Sequence, residues 1–132
     1  MKGSCLCGAI EVTTQDQHEA GLCHCSTCRR WTGGPMFSVH CGADVQFQGE
    51  TPTVYRSSDW AERGFCARCG THLFYHLLPA NEYVLTLGLF QDQPFKLADE
   101  IFIDEKPAYY EFRNETRKMT GQEVFDRFAS GD

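Results

Sequence analysis

The segments Cys5-Leu6-Cys7-Gly8 and Cys66-Ala67-Arg68-Cys69-Gly70 are two close cysteine pairs, each followed directly by glycine. In an extended C-x-C segment the two side chains lie on one face, and in a C-x-x-C turn the chain curls so that both sulfurs converge. Either geometry suits tetrahedral zinc, whose sulfur ligands lie at about 2.3 Å from the metal and so roughly 3.8 Å apart. The glycines can take the positive φ of a tight metal turn. The two pairs therefore predict one closed, structural zinc site with four cysteine ligands.

A different interpretation of these four cysteines is that they are buried or redox-active thiols. The flanking glycines and the two chelating spacings favour the metal site. The expected cellular compartment also favours the metal site. The chain begins without the apolar run of a signal peptide, so we expect a cytoplasmic protein. In a reducing cytoplasm closely spaced cysteines are metal ligands rather than disulfides.

Cys23-His24-Cys25-Ser26-Thr27-Cys28 combines both spacings within six residues. Three cysteines from one loop leave a fourth zinc position open, and an open position is typical of catalytic zinc. Three anionic thiolates make the metal a weak Lewis acid that favours a soft incoming ligand, such as a thiol. Zinc would hold that thiol as a thiolate at neutral pH, ready to attack a carbonyl carbon. The segment predicts a catalytic zinc site.

Two alternatives remain for this segment. His40, Cys41 or another residue could complete a second structural site. Cys25 and Cys28 could instead form a redox couple, although no thioredoxin-like βαβ pattern surrounds them. Cys41 fits a small buried apolar residue better than a ligand. His24 lies between two candidate ligands and would point away from the metal in an extended segment, so we do not assign it as a ligand.

Arg29 and Arg30 directly follow the predicted open site. One of them could bind a substrate carboxylate, since guanidinium groups match carboxylates well. The other interpretation is a solvated pair on the surface.

The rest of the chain predicts a mainly antiparallel β domain. The segment from Ala9 to Thr14 alternates apolar and polar residues, as is typical of a half-buried strand. Further strand candidates are Met36–Cys41, Val45–Phe47, Thr53–Arg56, Thr71–Leu77, Tyr83–Phe90 and Ile101–Ile103. Near the end, Thr120 and Glu123 form a capping box that predicts one short helix.

Length and charge bound the class of protein. A chain of 132 residues is enough for a single domain, which we expect to span residues 1–132. The formal net charge of −6, without a basic block, disfavours nucleic-acid binding. No apolar run reaches the roughly 18 residues that a membrane-spanning helix needs. The composition leaves a small molecule or a protein as the expected partner.

These cysteine motifs, in this order, resemble the glutathione-dependent formaldehyde-activating enzyme family, the GFA domain. The resemblance covers the chain from about Gly3 to Phe112 and includes Arg63-Gly64-Phe65 before the second pair. It implies a β-tent fold of antiparallel sheets and up to two zinc ions. It implies structural zinc ligands at Cys5, Cys7, Cys66 and Cys69, and catalytic zinc ligands at Cys23, Cys25 and Cys28.

The activity that the resemblance implies is that of a carbon–sulfur lyase. The family's named reaction joins formaldehyde to the thiol of glutathione and gives S-hydroxymethylglutathione. Members often carry a histidine before the Ile-Phe dipeptide near the end, where this chain has Glu100. We expect a zinc enzyme that adds a small aldehyde to a thiol such as glutathione, or releases it. The alternative is a zinc-stabilised binding module without catalytic activity.

Overall fold

The computed structural model describes the backbone of residues 1–129 and the side chains of residues 1–127. Within this part of the chain the fold is mostly β, with mainly antiparallel pairing and a short C-terminal helix, which confirms the predicted fold class. The helices are α1 (Ser26–Thr32) and α2 (Gly121–Ala129). The strands are β1 (Lys2–Ser4), β2 (Ile10–Thr14), β3 (Glu19–Cys23), β4 (Met36–Gly42), β5 (Val45–Gly49), β6 (Thr53–Arg56), β7 (Ala61–Phe65), β8 (His72–Leu77), β9 (Glu82–Thr86), β10 (Lys96–Ile101) and β11 (Arg117–Met119).

The chain forms two compact units. The first unit consists of Met1–His18 and Ser38–Phe95. In it, β2 lies between β1 and β5 in a three-stranded antiparallel sheet. The strands β4, β9, β8, β7 and β6 follow one another in that order, again antiparallel.

The core of the first unit includes one cysteine from each of the two close pairs that the sequence shows. Ile10 and Val12 point inward from β2, as the alternating pattern predicts, and both are buried. Cys5 and Cys66 belong to the same apolar cluster, where they pack with residues such as Leu73. A metal held by these cysteines would therefore be continuous with the hydrophobic core.

The second unit consists of Glu19–Phe37 and the chain from Lys96 onward. Here β10 lies between β3 and β11 and pairs with both in parallel, which the sequence did not predict. Helix α2 begins as predicted. The Thr120 hydroxyl accepts from the Glu123 N–H, and the Glu123 carboxylate accepts from the Thr120 N–H, each at 3.1 Å. The prediction of a single domain over residues 1–132 stays a prediction.

Two strand predictions were wrong at their ends. The strand expected over Tyr83–Phe90 stops at Thr86, and Leu87–Leu89 form a short 3-10 turn. The strand expected over Ile101–Ile103 instead ends at Ile101, because Phe102 adopts the left-handed conformation with φ of 55°. Among residues 1–129, no helix has the length and apolar character needed to cross a bilayer.

Candidate metal centre

Four sulfurs of the first unit converge into what we call the four-cysteine cluster. All four ligand atoms lie within 4.8 Å of one another. The Cys7 sulfur lies 3.6 Å from that of Cys5 and 3.8 Å from that of Cys66. Tetrahedral zinc with cysteine ligands requires a spacing of roughly 3.8 Å, so the cluster fits such an ion. Its members are Cys5, Cys7, Cys66 and Cys69.

Two glycine turns bring these sulfurs together. Gly8 and Gly70 have φ of 80° and 78°, in the left-handed region where glycine is favoured, as the sequence predicts. Their N–H groups donate back to the carbonyls of Cys5 and Cys66 at 3.2 and 2.8 Å. The Leu6 N–H donates to the Thr71 hydroxyl at 3.0 Å and so joins one turn to the other. The hydrogen bonds and positive φ values of the two turns thus determine where the four sulfurs lie.

The thiols of the four-cysteine cluster differ in how readily they ionise. The Thr71 hydroxyl and N–H lower the pKa of Cys69 to about 5. The Ala9 N–H favours the Cys7 thiolate, but partial desolvation and the neighbouring sulfurs outweigh it and raise the pKa of Cys7 to about 11. The cluster does not ionise all of its thiols by itself. A bound divalent cation would displace the remaining protons, as metals do when they bind cysteine.

A second group of sulfurs, in the second unit, forms the three-cysteine cluster of Cys23, Cys25 and Cys28. Their sulfurs also lie within 4.8 Å of one another, and among residues 1–127 no His, Cys, Asp or Glu side chain adds a fourth ligand atom to the group. Cys23 ends β3, and Cys25 is the N-cap of α1, where its sulfur accepts from the Cys28 N–H at 3.3 Å. The strand-to-helix junction therefore determines the convergence of the three sulfurs.

Burial and crowding shape the three-cysteine cluster. Hydrogen bonds with the sulfurs of Cys25 and Cys28, followed by burial, raise the pKa of the Cys23 thiol. The Cys28 sulfur also lies 4.0 Å from the thioether sulfur of Met36. A set of three sulfur donors in a partly apolar setting fits a soft divalent ion such as zinc.

The side chains that the sequence considered as further ligands lie elsewhere. His40 and Cys41 belong to neither cluster. The His40 ring nitrogen Nδ1 lies 2.7 Å from the Glu82 carboxylate. Cys41 is buried, its thiol contacts the Val39 carbonyl at 3.6 Å, and its pKa is raised by burial. Its surroundings are those of a core residue.

The two arginines differ in their surroundings. Arg29 donates through Nε to the His24 carbonyl at 2.8 Å, whereas Arg30 is exposed. Arg29 therefore stabilises the backbone between Cys23 and Cys25. A role for either guanidinium in binding a substrate carboxylate stays a prediction.

His24 has a network of partners that the sequence analysis missed. Its side chain is fully buried, and its Nε2 lies 2.8 Å from the carboxylate of Glu100. Its Nδ1 lies 2.7 Å from the Tyr110 hydroxyl, and the Thr116 hydroxyl donates to the second Glu100 oxygen. Burial opposes ionisation of Glu100, but the bonds from Thr116 and His24 outweigh it and lower its pKa. One signal was available: a polar ring that points away from a metal loop into the core needs buried partners.

The chain is thus a mainly antiparallel β protein with a four-cysteine and a three-cysteine cluster, each of which could hold a metal ion. The family model of the glutathione-dependent formaldehyde-activating enzymes matches residues 1–105, and the chain belongs to that family. A Schizosaccharomyces pombe protein named an uncharacterized lyase is 34% identical over 127 residues, which is 93% of each chain. The crystal structure of a Rhodobacter sphaeroides protein matches with a TM-score of 0.60 and 26% identity, covering 70% of this chain and 89% of the other.

Proposed function

We propose that the chain is a zinc-dependent carbon–sulfur lyase that joins a small aldehyde to a thiol such as glutathione, or releases it. The observation that carries this proposal is the three-cysteine cluster, which gathers three sulfurs and no fourth ligand atom from the His, Cys, Asp or Glu side chains of residues 1–127. Three protein ligands are the number that catalytic zinc sites keep. Membership of the family and the lyase name of the yeast relative support the same class of reaction.

The two clusters have different roles in this proposal. The four-cysteine cluster, Cys5, Cys7, Cys66 and Cys69, holds a structural zinc, because four cysteines complete the tetrahedron. The three-cysteine cluster holds a catalytic zinc. The chain would then carry up to two zinc ions.

A zinc ion bound by Cys23, Cys25 and Cys28 would supply an open position for a soft sulfur ligand and would favour the thiolate form of that ligand. In the reaction, the thiol loses its proton and its sulfur forms a bond with the carbonyl carbon. The carbonyl oxygen takes up a proton and becomes a hydroxyl, so no oxidant or reductant is needed. The contribution of the chain is to hold three sulfurs close together at the end of β3 and the start of α1, which fixes where the thiol binds.

The partners that we propose are a glutathione-like thiol and a formaldehyde-like aldehyde. A cytoplasmic location suits both, because a reducing compartment keeps the seven cysteines of the two clusters free for metal and keeps the thiol substrate reduced.

Metal content and its response to thiol test this proposal. We expect purified protein to bind two zinc ions, and we expect only the second, weaker one to respond to glutathione, because three thiolates hold metal less firmly than four. Zinc would be measured by atomic absorption, and zinc retention followed as glutathione is added.

S-methylglutathione is the matched control, since it keeps the peptide but has no free thiol. It should leave both ions undisturbed. If neither ion distinguishes glutathione from its methylated form, the open site is not a thiol site and the binding-module alternative gains support.

A further inference from the structure

We propose that His24 is a positioning residue, which Glu100 and Tyr110 hold so that the sulfurs of the three-cysteine cluster keep their spacing. This inference rests on the proposed function for its catalytic consequence. Its structural basis is a buried network next to the candidate ligands, in the second unit.

The geometry of the loop separates the His24 ring from the sulfurs. His24 lies between Cys23 and Cys25, at the point where β3 ends and the backbone of Cys25 is still extended, with φ of −63° and ψ of 155°. Successive side chains in extended backbone point to opposite sides. The ring accordingly lies between Glu100 and Tyr110, on the side of the backbone opposite to the sulfurs of the three-cysteine cluster.

Every hydrogen-bonding atom of His24 is engaged. Its N–H donates to the Ile101 carbonyl at 3.1 Å, and its carbonyl accepts from the Arg29 Nε–H at 2.8 Å. Ionised Glu100 can only accept, so Nε2–H donates to it at 2.8 Å, and Nδ1 bonds the Tyr110 hydroxyl at 2.7 Å. A residue held at four atoms gives its two neighbours little freedom to move apart.

The network is buried enough to resist rearrangement. The His24 side chain has 0% exposure and that of Glu100 has 2%. Thr116 occupies the second Glu100 oxygen, and the His24 ring stacks on Tyr110 with centroids 5.5 Å apart. Turning the ring would leave buried polar atoms without partners, which is unfavourable because each would lose its hydrogen bond without gaining one to water. The ring therefore holds the backbone between Cys23 and Cys25 in one position.

The chain offers a matched control for this pair. In the first unit, His40 lies 2.7 Å from Glu82, the same combination of ring and carboxylate. Those side chains are 65% and 31% exposed, and His40 belongs to neither cysteine cluster. A substitution there changes the same chemistry without a nearby metal loop.

The test uses Co²⁺ in place of zinc, because its thiolate charge-transfer absorption reports ligand geometry. Glu100→Gln and Tyr110→Phe keep nearly the same volume, so they retain the fold more readily than His24→Gln, which is tested beside them. We expect all three variants to bind the second cobalt ion at least about 10-fold more weakly and with an altered spectrum, as loss of outer-shell partners does. Binding of the first ion should be unchanged, and His40→Gln should match the wild type at both sites.

The possible outcomes separate this inference from the proposed function. Unchanged affinity and spectrum for the second ion in Glu100→Gln and Tyr110→Phe would overturn the positioning role alone. Weaker binding in these variants, combined with a wild type that binds two ions and shows no thiol–aldehyde turnover, would support the positioning role and refute the proposed function. A wild type that takes up only one cobalt ion would refute both.

Discussion

Replacing Cys66 with serine should leave the protein unfolded or insoluble at room temperature. Cys66 has 0% exposure and lies in both the four-cysteine cluster and the core of the first unit. A structural zinc site contributes on the order of 10 kcal/mol to folding, which is comparable to the whole stability of a typical domain. Loss of one of four ligands would remove most of that contribution, and Cys5→Ser should behave in the same way.

Thermal melts with and without a chelator measure this effect. Cys41→Ser is the control, because Cys41 is a buried thiol of the same core outside both clusters. Its serine hydroxyl should cost about 1–3 kcal/mol, the usual cost of an added buried polar group, and leave the chelator response intact. Melts of Cys5→Ser and Cys66→Ser close to that of the wild type would rule out the structural role of the four-cysteine cluster.

The sequence was informative where local chemistry determines structure. Gly8 and Gly70 follow the cysteine pairs because each turn needs a positive φ, and the spacing alone predicted both. The capping box of Thr120 and Glu123 likewise involves atoms only three residues apart. In β2, alternation revealed which side chains are buried because one face of the strand meets the core.

Features that depend on long-range pairing were missed. The parallel pairing of β10 with β3 joins segments far apart in the chain, and no periodicity identifies a partner strand. The short helix α1 was missed for a different reason, because its 7 residues are too few to show a helical period. Glu100 drew attention as a departure from the family pattern, but its contact with His24 arises only once β10 lies beside β3.

Cys25→Ser and Cys28→Ser should abolish thiol–aldehyde turnover while the protein stays folded. Each substitution leaves two protein ligands, too few for tight binding of a catalytic zinc. Loss of an outer-shell partner already costs about 10- to 100-fold in metal affinity or activity, so loss of a ligand should cost more. The thiol substrate would then keep its solution pKa and lose its fixed position. Turnover is measured as the rate of thiol–aldehyde exchange at equal reactant concentrations.

The fold should survive because these cysteines come from one short segment of the second unit. Cys25 is the N-cap of α1, and serine is among the preferred N-cap residues, so Cys25→Ser keeps the start of the helix while removing a ligand. Free thiols add to formaldehyde unaided, so the uncatalysed rate must be subtracted, and melts recorded in parallel must match the wild type. Wild-type rates in both folded variants would remove the three-cysteine cluster from the chemistry. A wild type that never exceeded the uncatalysed rate with any thiol would instead favour a binding module, since the cluster would then hold metal without acting on a substrate.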